Sequence, residues 1–267
     1  MADLWDNNNQ TEQNGDPFYN YANTEGDFAG VRGANSGFAA QRKDSLSAYI
    51  ARTYLWMFAG LLVTFAVAMG VYVSLITGGL WYRIFTGSSA ILMIVLIAEL
   101  AVVIAMSALI NKISAAVAGV FFFAYAALNG ITFSLYLTVY GLGTVLLVFG
   151  VTALFFGGMA AVSLIFKLRL DTIRPFLFGG LILLILFGVL SAFLDLSGLE
   201  IFVSYLGIAI FLGYTAYDTS KIRANYQYYN GNTQMLGKAS IFSALQLYLD
   251  FINLFLYILR ILGKRKN

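Results

Sequence analysis

Apolar stretches of about 20 residues recur along the chain after residue 47, separated by short polar segments. A helix needs about 20 apolar residues to cross the hydrocarbon core of a bilayer, which is roughly 30 Å thick. Strands of a membrane β-barrel would be about ten residues long with alternating polarity, and none of these stretches alternates. The pattern therefore predicts an all-α membrane protein with seven transmembrane helices, near Tyr54–Ile76, Ala90–Ile110, Ala115–Leu137, Leu142–Phe166, Pro175–Leu194, Ile201–Tyr217 and Ile241–Leu262.

Residues 1–47 differ from the rest because they are rich in Asn, Gly and Asp and follow no helical or strand period. Such a segment buries too little apolar surface to offset the entropy of ordering it. We therefore expect a disordered polar cytoplasmic tail at 1–47, a seven-helix transmembrane domain at 48–263 and a short basic C-terminal end at 264–267. The alternative for the tail is a docking segment that uses Phe18, Tyr19, Tyr21 and Phe28.

Composition supports the membrane assignment, since 60% of the residues are hydrophobic and 11% are charged, against about 25% charged in soluble domains. The chain contains neither Cys nor His. Disulfides, thiol nucleophiles, zinc sites built from Cys and His, and imidazole pH switches are therefore excluded. Any response to protons near neutral pH falls to carboxylates.

Lys and Arg are distributed unevenly between alternate loops, and the positive-inside rule places the more basic loops in the cytoplasm. With the tail inside, cytoplasmic segments hold 11 basic residues and outside segments hold five. We therefore predict a cytoplasmic N-terminus in a multi-pass protein of the cytoplasmic membrane. Loop placement, not nucleic-acid binding, accounts for the net charge of +3.

Four of the five outside bases lie at the C-terminal end, which conflicts with this rule: Arg260, Lys264, Arg265 and Lys266. The conflict leaves an alternative in which the last segment enters the membrane and returns to the same side. We favour seven crossings, because Ile241–Leu262 is long enough to span.

Few ionisable residues fall inside the predicted spans: Glu99 in the second, Asp218 near the end of the sixth, and Asp250 and Arg260 in the seventh. Each costs roughly 2.5–3.5 kcal/mol in a bilayer and is a functional candidate. Glu99 and Arg260 carry opposite charges and have no other evident partner in the spans. We expect them to pair.

The seventh predicted helix carries its polar residues on one face, because Gln246, Asp250, Asn253, Tyr257 and Arg260 are spaced by four, three, four and three residues. A polar face toward lipid is untenable, so this face should contact protein or water. For Gln246 and Asn253, hydrogen bonds between helices, worth about 0.6 kcal/mol per pair, are a sufficient explanation.

Two further polar groups are open to alternative interpretations. Asp218 either ends its helix in cytoplasmic water or has a specific partner, and an acid at a helix C-terminus opposes the helix dipole. In the third predicted helix a polar stripe either packs against neighbouring helices or lines a cavity, and it consists of Tyr125, Asn129, Thr132 and Tyr136.

Enzymatic signatures are absent from the sequence, which contains no phosphate-binding loop, no nucleophile elbow and no zinc-protease helix. Paired aspartates also suggest an intramembrane aspartyl protease. Tyr217 and Asp218 fit half of that pattern, but Leu247-Tyr248-Leu249 precedes Asp250 where glycines belong. We expect no enzymatic activity and no cofactor.

Three segments resemble the transmembrane Bax inhibitor motif family, also called Bax inhibitor-one-like proteins: ALNGITFS (Ala127–Ser134), LGYTAYDTSKI (Leu212–Ile222) and ALQLYLDFINLFLYILRILG (Ala244–Gly263). The resemblance covers residues from about 45 to 263. It implies seven helices with the last at the centre, and a calcium-permeable leak controlled by pH. It also implies that an aspartate pair, here Asp218 and Asp250, opens or closes the pathway.

The same resemblance matches Glu99 and Arg260 to an acid and an arginine that family members often carry. Many relatives have an arginine ten or eleven residues after the acid of the second helix. Leu109 and Ile110 occupy those positions here, and Lys112 is the nearest base that could replace the arginine.

An aspartate pair suits this function physically. Two carboxylates in a low-dielectric site titrate as one coupled unit. A shared proton would join their helices, and its loss would leave charges that repel and attract a divalent cation. Oxygen ligands favour Ca²⁺, so we expect Asp218 and Asp250 to bind Ca²⁺ transiently as the transported ion. The alternative is a scaffold that binds another membrane protein, such as a membrane-bound protease.

Overall fold

The computed structural model describes residues 45–88, 90–109, 112–166, 170–191 and 193–263. The predicted tail, apart from residues 45–47, and the predicted basic end lie outside these ranges. Two short 3-10 helices, Asp171–Ile173 and Ser197–Leu199, precede α6 and α7. The α-helices are α1 (Leu46–Ile76), α2 (Leu80–Gly87), α3 (Ala90–Leu109), α4 (Ala115–Tyr140), α5 (Leu142–Ile165), α6 (Arg174–Ser191), α7 (Glu200–Tyr228) and α8 (Thr233–Leu262). The all-α fold class is confirmed.

Side-chain caps and one glycine set several helix boundaries. Ser45, Ser114 and Asn232 accept hydrogen bonds from backbone N–H groups in the first turns of α1, α4 and α8, which satisfies donors that a helix start leaves open. Gly141 alone separates α4 from α5 with φ 77°, a left-handed conformation that suits glycine.

Six of the described helices are long and apolar enough to cross a membrane, and the bent pair α2–α3 makes seven if counted as one span. The two members of that pair meet at 101°. The sequence pattern predicted a loop where α2 lies, because a helix of eight residues is too short to register as a span. The prediction of a seven-helix membrane fold is confirmed with this addition.

Two helices extend well beyond the spans predicted for them. α7 continues to Tyr228 instead of ending at Tyr217, and α8 begins at Thr233 instead of Ile241. Hydropathy marks where a helix leaves lipid, and a polar continuation can remain helical in water. At 1.5 Å per residue α8 is about 45 Å long, and it is unbroken. The last segment therefore does not turn back within the membrane.

α8 lies at the centre of the bundle and packs against α1, α4, α5 and α7. Seventeen of its residues are buried, against two in α6. α3 packs on α4, and α6 packs on α7. The prediction of a central last helix is confirmed.

Hydrogen bonds and close contacts fix α1 against both α4 and α8. The Thr64 hydroxyl lies 2.9 Å from the Ala126 carbonyl oxygen and 2.7 Å from the Tyr248 hydroxyl. Because Thr64 donates to a carbonyl, Tyr248 donates to Thr64. A Cβ at Gly130 would lie 2.8 Å from the Thr64 carbonyl oxygen and 2.7 Å from Val67 Cβ, so the backbones of α1 and α4 approach closely here.

Candidate functional site: an aspartate pair between α7 and α8

Asp218 and Asp250 lie together between α7 and α8, where they are 6% and 4% exposed. Their carboxyl groups are within hydrogen-bonding reach of each other. Oδ2 of Asp250 is buried without a hydrogen-bond partner, an arrangement that costs free energy. Two ionised carboxylates offer only acceptors, so a proton on one of them would supply the donor that this contact otherwise does not contain.

Asp218 does not end its helix. α7 continues for ten residues beyond it, to Tyr228, because the polar residues that follow remain helical. The interpretation in which Asp218 simply meets cytoplasmic water at a helix end is therefore wrong. Its partner is Asp250.

α7 and α8 face each other with a repeat of seven residues. The facing pairs are Asn225–Ser243, Asp218–Asp250 and Phe211–Tyr257. Seven residues are about two helical turns and return to the same face. Asn225 Nδ2 donates to Ser243 Oγ at 3.1 Å, whereas the rings of Phe211 and Tyr257 stack with centroids 5.9 Å apart. The aspartate pair thus separates a polar layer from an aromatic layer.

α1 contacts the α7–α8 seam, which is the interface formed by these three facing pairs, beside the aspartate pair. The Tyr54 hydroxyl lies 2.9 Å from Thr219 Oγ1, the residue after Asp218. One turn further along α7, Lys221 Nζ lies 4.7 Å from the centroid of the Tyr217 ring. Lys221 also acts electrostatically on Asp218, so a positive charge flanks the pair on α7.

The other residues predicted on the polar face of α8 have different surroundings. Tyr257 lies flat against α7, where a Cβ at Gly207 would come within 2.7 Å of its ring. Asn253 donates to a backbone carbonyl of its own helix at 2.8 Å, and Gln246 is partly buried. Arg260 is exposed, with Cζ 5.6 Å from the Tyr257 ring centroid. The face meets α7 chiefly through Asp250 and Tyr257.

A second polar group joins α3 to α4. Glu99 Oε1 accepts a hydrogen bond from Thr132 Oγ1 at 2.7 Å. Asn129, 5% exposed, lies one turn earlier on α4, and its Nδ2 donates to the Tyr125 carbonyl at 3.3 Å. The Tyr125 ring meets that of Tyr248 edge to face. Tyr248 lies about 200° around α8 from Asp250. The polar group between α3 and α4 therefore contacts the side of α8 opposite the aspartate pair.

Lys112, suggested as a replacement for the missing arginine, is exposed at the end of α3. The charged groups that act on Asp218 are Lys221 and Asp250. The positive charge beside the pair therefore comes from α7 itself.

Asp218 and Asp250 together offer a cation two carboxylates at this site. Among the residues that the structure describes, no group of three or more His, Cys, Asp or Glu side chains could hold a metal ion. Ca²⁺ takes six to eight oxygen ligands, so an ion passing Asp218 and Asp250 would keep part of its water shell.

Several seam residues were not singled out from the sequence. Asn225 and Ser243 lie seven residues from Asp218 and Asp250, so extending the interval of seven in both directions would have found them. The contact between Tyr54 and Thr219 carries no such signal, because it depends on how α1 crosses α7.

Glu99 and Arg260 are expected to contribute to stability independently. In the described part of the chain Glu99 bonds to Thr132 and Arg260 lies over Tyr257, so the two charges do not pair as the sequence suggested. In thermal unfolding of the purified protein, Glu99→Gln and Arg260→Gln should add within about 0.5 kcal/mol. Glu99→Ala and Thr132→Val should instead be non-additive. A coupling between Glu99 and Arg260 larger than that between Glu99 and Thr132 would contradict this assignment.

Comparison with known proteins identifies the family of this chain. Residues 46–267 match the family described as inhibitor of apoptosis-promoting Bax1. The chain is 38% identical over 227 residues to the inner membrane protein YbhL of Escherichia coli, covering 85% of this chain and 95% of YbhL. It is 36% identical over 222 residues to an uncharacterized protein of Deinococcus radiodurans, covering 83% and 93%. The chain is a multi-pass membrane protein and belongs to the Bax inhibitor-one-like family.

Proposed function

We propose that this protein is a pH-sensitive, calcium-permeable leak of the membrane, gated by Asp218 and Asp250. The observation that carries the proposal is the buried carboxyl pair between α7 and the central helix α8, with Oδ2 of Asp250 lacking a hydrogen-bond donor. No enzymatic activity and no resident cofactor are part of the proposal. Calcium is the transported ion.

Proton sharing gives the pair two states. With one proton between the carboxyls, a hydrogen bond joins α7 to α8. When the proton leaves, the two charges repel. Two unit charges about 4 Å apart repel by about 4 kcal/mol at an effective dielectric constant of about 20. That energy favours separation of the helices, and the same two charges attract a divalent cation.

Calcium flux into liposomes that contain only this protein tests the proposal. Flux should exceed that of protein-free liposomes and should change with pH across a single transition. Absence of flux at every pH would contradict the leak and favour a scaffold that binds another membrane protein, such as a membrane-bound protease. The observation that favours this second candidate is the end of α7, where the large side chain of Tyr228 is 82% exposed.

We further propose that the N-terminus is cytoplasmic and the C-terminus lies outside, since basic residues favour the segments on the N-terminal side by 11 to five. The chain contains no Cys, so single Cys residues introduced at each end can be labelled specifically. An impermeant thiol reagent applied to intact cells should label the C-terminal Cys and should reach the N-terminal Cys only after the membrane is disrupted. The reverse pattern would invert the assigned orientation.

A further inference from the structure

The α7–α8 seam differs on the two sides of the aspartate pair. On the side near the turn between the helices, the next layer is the hydrogen-bonded pair Asn225 and Ser243. On the other side, the next layer is the stacked pair Phe211 and Tyr257. Amide and hydroxyl groups can exchange hydrogen bonds with water, whereas two stacked rings offer an ion no ligands.

The aromatic layer is closely packed. Phe211 is 5% exposed, and its ring and that of Tyr257 are inclined by only 26°. Gly207, one turn before Phe211, has no side chain, so the Tyr257 ring lies directly on the α7 backbone, and a Cβ there would meet three ring atoms at 2.7 Å. Arg260 contacts the same ring. α7 and α8 are therefore in close contact at this level.

The layer also occupies the face that carries the aspartates. Phe211 precedes Asp218 by seven residues, and Tyr257 follows Asp250 by seven. An ion that leaves the pair toward the end where α7 begins and α8 ends must therefore pass these rings. Hydrophobic constrictions of this kind close ion pathways by excluding water.

We propose that Phe211 and Tyr257, seated on Gly207, form the closed barrier of the ion pathway. The inference rests on the proposed leak function and assigns its barrier to two residues other than the aspartates. Opening requires the two rings to separate, which moving α7 away from α8 would achieve.

Calcium flux into liposomes, at the pH where the wild-type protein passes least calcium, tests the barrier from both helices. Tyr257→Leu removes the stack from the α8 side. Gly207→Ala introduces a Cβ on α7 that displaces the Tyr257 ring. Each is expected to raise flux severalfold. Tyr257→Phe keeps the ring contacts and is expected to leave flux low.

Two controls match these changes in size. A Cβ at Gly213 would lie 2.7 Å from Leu177 of α6, so Gly213→Ala introduces a similar clash on α7 away from the seam. Phe255→Leu removes a ring on α8 that packs on Phe133 of α4. Neither should raise flux. A rise with Gly213→Ala equal to that with Gly207→Ala would overturn the barrier, because any disturbance of α7 would then suffice.

The outcomes separate the barrier from the leak. If the wild-type protein passes calcium in a pH-dependent way but Tyr257→Leu and Gly207→Ala match it, the barrier assignment is wrong and the leak remains. If neither the wild type nor the two variants pass calcium at any pH, both proposals fail. If Tyr257→Leu does not yield monodisperse protein, the calcium flux of Gly207→Ala compared with that of Gly213→Ala is a sufficient test of the barrier.

Discussion

Asp250→Asn is expected to abolish the pH dependence of calcium flux in liposomes, and Asp218→Asn is expected to do the same. An amide neither ionises nor repels, so one substitution removes the shared proton from the pair. Basal flux can differ between the two variants, because an amide can still hydrogen-bond to the remaining carboxyl and hold the helices in either state. The double variant should resemble one of the singles, as expected for residues that titrate as a unit.

Asn253→Ala is the control for this prediction. Asn253 lies on the same helix three residues from Asp250, is uncharged, and bonds within α8. Its loss can change stability but should leave the midpoint of the pH response near the wild-type value. If Asp250→Asn kept a normal pH response in purified liposomes, the pair would not be the sensor, and the scaffold would better explain carboxylates at this position.

Gly130→Ala is expected to destabilise the protein by about 1–3 kcal/mol, the usual cost of overpacking a closely packed core. The new Cβ would lie 2.8 Å from the Thr64 carbonyl oxygen, a backbone atom that cannot rotate away. α1 and α4 would have to separate, weakening the hydrogen bond between Thr64 and Tyr248. Thermal unfolding of the detergent-solubilised protein measures the loss.

Gly157→Ala provides the matched comparison. Gly157 lies within α5, and a Cβ there would meet nothing within 4 Å. Alanine favours the helix over glycine by up to about 1 kcal/mol, so this variant should be as stable as the wild type or slightly more stable. Equal losses at Gly130 and Gly157 would show that the contact with α1 does not set the cost.

Sequence patterns predicted the helices better than the contacts between them. Runs of apolar residues located the spans, since the bilayer imposes a length that composition alone reveals. The spacing of Gln246, Asp250 and Tyr257 predicted one polar face on the last helix, and the structure directs that face toward α7. That Asp218 meets Asp250 was implied by family resemblance, because no pattern within one helix shows which helix lies opposite.

The differences between the predicted and the observed helix ends and contacts have a common physical cause. Hydropathy ends where lipid ends, so it placed the end of α7 at Tyr217, although the helix continues to Tyr228. The partner of Glu99 depended on how α3 lies on α4. Charge alone suggested Arg260, yet a neutral hydroxyl from Thr132 satisfies the carboxylate. Contacts between helices follow from packing, which a single sequence does not display.

The short connection between α7 and α8 has a mechanical consequence. Residues 229–232 join the two helices at one end, so a rigid separation of α7 from α8 would turn about that end. Asp218 lies about 16 Å along α7 from Tyr229, and Phe211 lies about 27 Å from it. For a given angle the rings therefore move roughly 1.6 times as far as the carboxyls. In the proposed gate, a small separation driven by charge at the aspartates would therefore be amplified at the rings of Phe211 and Tyr257.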